Sequence, residues 1–398
     1  AITTCNLSFL NGTLLRTHTS DVQTQNDYFG WSVALGTNYY AVGEPEDDGT
    51  ASGAGCVFIY NMSDGTQRHK LTPPTYSGDT DTSADRFGRE IKMNDTHTII
   101  GTIYGDDSSY TNVGVVRVYN TVSGSLLYTT QSPISDREDN LYFGSSLNLS
   151  QSGTYWGTGA YSHDASGGKA YIYNTSTGNL VYTLTNPNVY DTPTNDTFGL
   201  AVSVGDTYIA VSAPNEDNAS YSGSGAVYVY NLSDGSLRHT ILNPAALGDG
   251  TSFGQQVEIS DTHLVISCHR HLDSNGNYQA GIVYVYNPDT GNLRYTINNP
   301  NTSAPADDDF GQEIAMSTNY ILISAPDAQT QGAGPVYVYN LSDGSLLHTI
   351  QNPNTNTTNT DDEFGTYGLD ITDTRILVGA WSEGGTSPYN TGAAYLFD

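Results

Sequence analysis

Apolar and polar positions alternate along this chain in short bursts, and no stretch sustains a helical period. The clearest copy of the pattern runs from Phe198 to Pro244. It opens on Phe-Gly, enters a short apolar alternation and turns at Val204-Gly205-Asp206-Thr207. A second apolar run, Tyr208-Ile209-Ala210-Val211, leads to Ser212-Ala213-Pro214 and an acidic loop. Val227-Tyr228-Val229-Tyr230 follows, then an Asp-Gly turn and a last run, Ser236-Leu237-Arg238-His239-Thr240-Ile241. β-Branched and aromatic residues favour a pleated, half-buried strand, and Asp-Gly punctuation favours tight hairpins. The unit is therefore four antiparallel strands, here a to d. Phe-Gly recurs at Phe29, Phe87, Phe143, Phe198, Phe253, Phe310 and Phe364, with spacings of 54 to 58 residues. One supersecondary unit is copied seven times.

Four-stranded units at this period predict an all-β fold, a seven-bladed β-propeller of four-stranded antiparallel blades. A ring buries every blade face against a neighbour, whereas a linear solenoid leaves apolar end faces. The two ends of the chain argue for closure independently. Residues 5–18 read as the end of a strand c followed by a strand d, and the C-terminus stops after the strand c at Ala393-Ala394-Tyr395-Leu396-Phe397. The N-terminal strand is expected to complete the last blade and remove an exposed edge. Residues 1–398 are then one domain.

These residues resemble the FG-GAP repeat, the repeat of the integrin α-subunit propeller. The family's Gly-Ala-Pro stands here as Gly43-Glu44-Pro45, Ser212-Ala213-Pro214 and Ser324-Ala325-Pro326, with looser copies at Gly159-Ala160-Tyr161 and Gly379-Ala380-Trp381. The Asn-Pro spacers and Asn-Leu-Ser-Asp-Gly turns are also similar in style to FG-GAP proteins of marine microbes and their phages. The resemblance implies a propeller used for recognition. It does not carry over the family's calcium loop, an Asp-X-Asp-X-Asp-Gly pattern between strands a and b, because that position is a short turn here, as at Ser260-Asp261-Thr262.

Charge narrows the partners. Forty-two acidic residues against 13 basic ones give a formal net charge of −29. Long-range repulsion disfavours nucleic acid and anionic membranes. Salt screens such self-repulsion, which suits seawater or brine. No apolar run approaches the length of a membrane span, so no membrane insertion is expected. The opening Ala1-Ile2-Thr3-Thr4 shows no signal-peptide pattern, and an N-terminal Ala fits a cleaved precursor or removal of an initiator Met equally. Cys5, Cys56 and Cys268 are too few and scattered for a disulfide framework. Sequons such as Asn61, Asn148, Asn174, Asn231, Asn301 and Asn340 include the repeat's own Asn-Leu-Ser turn, so glycosylation stays open.

Strand alternation places the d-to-a and b-to-c loops on one face. Acidic residues gather in both, at Asp27, Asp85, Asp139, Asp196, Asp249 and Asp307-Asp308-Asp309, and at Glu46-Asp47-Asp48, Asp106-Asp107, Glu216-Asp217 and Asp273. Such residues either cap turns or, where clustered, offer oxygen ligands to Ca²⁺. The candidate calcium residues are Glu46, Asp47, Asp48, Asp307, Asp308 and Asp309. Blade five replaces Ala-Pro by Cys268-His269-Arg270-His271. Those are zinc-ligand types without a second ligand pair. His269, Arg270 and His271 are either a cationic spot that grips an anionic sugar or a partner carboxylate, or, as the default, an ordinary loop variant. Loop aromatics, Trp381 and Tyr221 above all, are candidates for stacking on sugars, against core packing as the commoner fate. No Gly-X-Ser-X-Gly elbow, phosphate loop or His-Glu-X-X-His occurs.

The expectation is a non-enzymatic recognition or structural module on an exterior surface, whether cell surface, secreted or virion. It would bind a protein or surface glycan, or assemble with itself or with virion neighbours. The alternative is a polysaccharide-active hydrolase or lyase using carboxylates on the acidic face.

Overall fold

The computed structural model describes residues 10–49, 51–74, 85–163, 167–188, 194–245, 250–272, 276–302, 307–328, 334–354, 362–384 and 390–398. Cys5, Asp164, Asp249, Asp273, Asp361, Tyr389 and the segment before Leu10 lie outside them. The structure is a seven-bladed β-propeller of seven four-stranded antiparallel sheets. Blade four is representative, with strand a Val202–Val204, b Tyr208–Ala213, c Ala226–Asn231 and d Leu237–Leu242. The described residues include one 3-10 turn, Ile134–Asp136, and among them no helix is long and apolar enough to cross a membrane.

The ring closes as the chain ends imply. Leu14–His18 pairs antiparallel with Ala393–Phe397 and serves as strand d of blade seven. A hydrophobic cluster joins Leu377, Ala394 and Leu396 of blade seven to Phe29, Val33 and Val42 of blade one. Comparable clusters sit between each other neighbouring pair of blades. The strand c alternation explains how one strand serves two interfaces. Val227 and Val229 face Phe253 of blade five, whereas Tyr228 and Tyr230 face Val202 and Val204 of their own blade together with Ala170 and Ile172 of blade three. Strand c shifts register before its last Tyr, as between Val229 and Tyr230, and such bulges add the twist that blades need.

Phe-Gly is the corner of each unit. Phe198 is fully buried and packs on Tyr228 at 5.8 Å between ring centroids. Gly199 takes φ +87°, in the left-handed region, and its N–H reaches Ser212 O at 2.8 Å. On the neighbouring strand b, a Cβ at Gly159 would lie 1.7 Å from Gly199 O. That contact between blades explains glycine at both positions. The a strands contact one another from blade to blade and so line the axis.

Candidate functional site

On the loop face, many acidic side chains hold the fold. Asp196 Oδ2 accepts from Asn186 Nδ2 at 2.8 Å and Asn188 Nδ2 at 2.7 Å. Asp308 Oδ2 is held in the same way by Asn299 and Asn301, and Asp362 Oδ2 by Asn352 and Asn354. An Asn-Pro-Asn spacer thus clips the buried Asp that stands two residues before Phe. Asp309 takes a hydrogen bond from Gln279 Nε2 at 2.7 Å, and burial pushes its carboxyl up to about 6. Asp307 is exposed. In blade one, Glu46 ion-pairs with Arg86, Asp47 with Lys70 at 2.6 Å, and Asp48 Oδ1 accepts from Gly53 N at 2.8 Å. The two acidic triplets belong to blades one and six and are not brought together.

Blade five differs from the sequence reading in its local geometry. Strand b ends at Cys268, and a Cys268-to-His271 turn follows, so His269 and His271 do not share a strand face. Both rings are buried, and only Arg270 is exposed. Burial, with Arg270 adding to it, lowers His269 to about 4, which leaves that ring neutral near pH 7. The positive charge of this spot therefore comes from Arg270, without His269. Tyr221 sits half-buried in the b-to-c loop of blade four, where Asn218 Oδ1 accepts its N–H at 2.8 Å.

Trp381 belongs to a larger assembly. Its ring centroid lies 4.9 Å from Trp31 and 5.1 Å from Tyr28, edge-on to the latter. Tyr367 stacks on Trp31 at 4.5 Å with 17° between planes. Strand a of blade seven carries an irregularity between Phe364 and Leu369 that lifts Tyr367 to 42% exposure. The Arg89 guanidinium lies over Trp31 at 4.6 Å and reaches Tyr104 at 6.0 Å. Tyr104, Tyr142 and Tyr161 continue the line edge-on and then stacked. The result is a half-buried aromatic and arginine arc running from blade seven through blade one to blade three.

The arc borders the axial cavity, about 290 Å³, lined by Trp31, Arg89, Tyr161 and Tyr367 and by polar residues below them. Positions three and five after Phe supply those residues, including Ser32, Glu90, Lys92, Ser146, Asn148, Gln256, Glu258 and Glu313. Some finish the inner edge of the sheets. Leu35 N–H donates to Asp370 Oδ2 at 2.7 Å, Val204 N–H to Asn148 Oδ1 at 2.9 Å, and Ile259 N–H to Ser203 Oγ at 3.0 Å. Each bond crosses from one blade to the next, satisfying edge donors that no further strand can pair.

Lys92 is the ammonium group among Glu90, Glu258, Glu313 and Asp370. Burial alone would lower it, but those carboxylates outweigh burial and raise it. Burial pushes Glu90 up to about 7, against the pull of Lys92 and Arg89. Burial raises Glu258 and Asp370 as well, and lifts Glu313 well above the carboxylate range with help from Glu90. Glu258 is also anchored by Ser203 and Asn148, and Glu313 by Gln256 Nε2 at 2.8 Å. The sequence reading looked for acids in loops and missed these channel residues. Their signal was charge in strand a, at Glu90, Lys92 and Glu258, or just before it, at Glu313, where an apolar alternation was expected.

The fold is a seven-bladed β-propeller, and its axial cavity with the aromatic arc is the candidate site. The family model described as FG-GAP repeat matches residues 18–60, 190–230 and 303–339, in blades one, four and six. A search of curated proteins finds no match.

Proposed function

We propose that this protein is a non-enzymatic recognition module that binds a surface glycan at the channel mouth. The observation that carries the reading is the aromatic arc, in which exposed Tyr367, backed by half-buried Trp31, offers its outer ring face beside a polar cavity. Aromatic faces take up the apolar faces of sugar rings, and Arg89, Gln255 and Gln256 stand where hydroxyl groups need partners. An exterior setting, on a cell or a virion, is part of the proposal and is supported by the acidic composition. The test is a glycan array probed with the labelled protein. Saturable binding of defined glycans supports the reading, and a blank array with folded protein sinks it.

A second reading, cleavage of a bound polysaccharide, draws on Glu90 and Glu313. These are two carboxyls raised by burial in one cavity, the property a general acid needs. Release of reducing or unsaturated ends from an array-positive polysaccharide would favour it. An intact polymer after prolonged incubation would remove it.

A further inference from the structure

Blade one differs from blades four and seven at one cross-strand pair. The last residue of strand b faces the first of strand c. That pair is Ala213 with Ala226 in blade four and Ala380 with Ala393 in blade seven, but Glu44 with Cys56 in blade one. Both side chains are buried, at 1% exposure each. Cys56 Sγ lies 3.4 Å from Glu44 Oε2, and Asp47 completes a trio whose donor atoms all lie within 4.8 Å of one another. Among the described residues, Glu44 Oε1 is buried with no hydrogen-bond partner. Ser20 stands beside this carboxyl, yet its hydroxyl donates to Val22 O at 3.0 Å. A buried carboxylate oxygen without a partner leaves an acceptor unsatisfied, and a cation would satisfy it.

We propose that Glu44, Asp47 and Cys56 form a binding site for a zinc-class divalent cation. The spacing fits, because a tetrahedral ion about 2.3 Å from sulfur and 2.0 Å from oxygen sets those donors about 3.5 Å apart. Thiolate with carboxylate suits zinc better than calcium, which takes oxygen donors alone. Charge also fits. One thiolate and two carboxylates exceed the ion by one negative charge, and Lys70, paired with Asp47 at 2.6 Å, supplies the balance. Binding releases the thiol proton and any proton on Glu44. The Asp47 side chain, 12% exposed, marks the solvent side of the site, and the fourth position is left for water.

The experiment titrates Co²⁺, then Zn²⁺, into the metal-stripped chain and follows thiolate-to-cobalt charge-transfer absorption. The expected result is one equivalent bound with that band, its displacement by Zn²⁺, and a higher melting temperature in excess Zn²⁺. Glu44→Ala and Cys56→Ala install the blade-four residues and so keep a packing the fold already uses. Each should weaken binding at least a hundredfold, with Cys56→Ala abolishing the band and Cys268→Ala preserving it. Absence of a charge-transfer band in the wild type, or a band unchanged in folded Cys56→Ala, would overturn the site. Should Cys56→Ala fail to fold, Glu44→Gln takes its place, and undiminished Zn²⁺ affinity in it would overturn the site equally.

Discussion

Glu90→Gln is predicted to stabilise the protein at alkaline pH. Burial raises the folded-state carboxyl from 4.5 to about 7, so the folded state holds the proton more tightly than the unfolded chain does. The sign follows. The contribution of Glu90 to stability is fully present below pH 4.5 and is lost as pH rises through 7. A shift of this size corresponds to at most about 3 kcal/mol at full burial. Glu90 is only half-buried by exposure because it faces the channel, so we discount the figure to about 1–2 kcal/mol. Glutamine keeps the shape and never ionises. Urea melts of wild type and variant at several pH values between 5 and 8 read the difference directly. The variant should match wild type near pH 5 and exceed it by that amount at pH 8. A difference that does not change with pH, or a variant weaker at pH 8, would refute the argument that channel burial governs this carboxyl.

Three further outcomes test the fold. Asp196→Ala removes the acceptor shared by Asn186 and Asn188 and should lower stability by about 2 kcal/mol, read from thermal melts. Gly159→Ala drives a methyl group into Gly199 O of the next blade, and a loss of about 3 kcal/mol or more is expected in the same assay. Deleting residues 1–18 strips strand d from blade seven and bares the edge of Ala393–Phe397. Size-exclusion chromatography should then show oligomers or aggregates where the full chain elutes as a discrete species.

The architecture was legible because each blade repeats its own corner chemistry. Phe-Gly, the Val-Tyr-Val-Tyr alternation and the Asp-Gly turn each have a local physical reason, and seven copies in register leave few alternatives. Ring closure was legible from the orphan strand at Leu14–His18. The Asn-Pro-Asn clips were visible as spacers, but their buried Asp partners were not, because the bond forms across a loop of about ten residues. The axial site was harder still. Trp31, Arg89, Tyr161 and Tyr367 come from four blades, and their proximity exists only once the ring is closed. Tyr367 in particular owes its exposure to an irregularity inside strand a, which no periodicity announces. Trp381 stood out as a loop aromatic, yet its neighbours Tyr28 and Trp31 looked like ordinary residues beside a Phe-Gly corner.

The most direct test of the central claim titrates a glycan identified on the array against the wild type, Trp31→Ala, Tyr367→Ala and Tyr221→Ala, following tryptophan fluorescence. The arc variants should bind about tenfold more weakly or worse, as expected when a stacking face is lost, while Tyr221→Ala in the blade-four loop stays near wild type. Affinity unchanged in both arc variants but lost in Tyr221→Ala would contradict the account and move the binding site from the channel mouth to the outer loops.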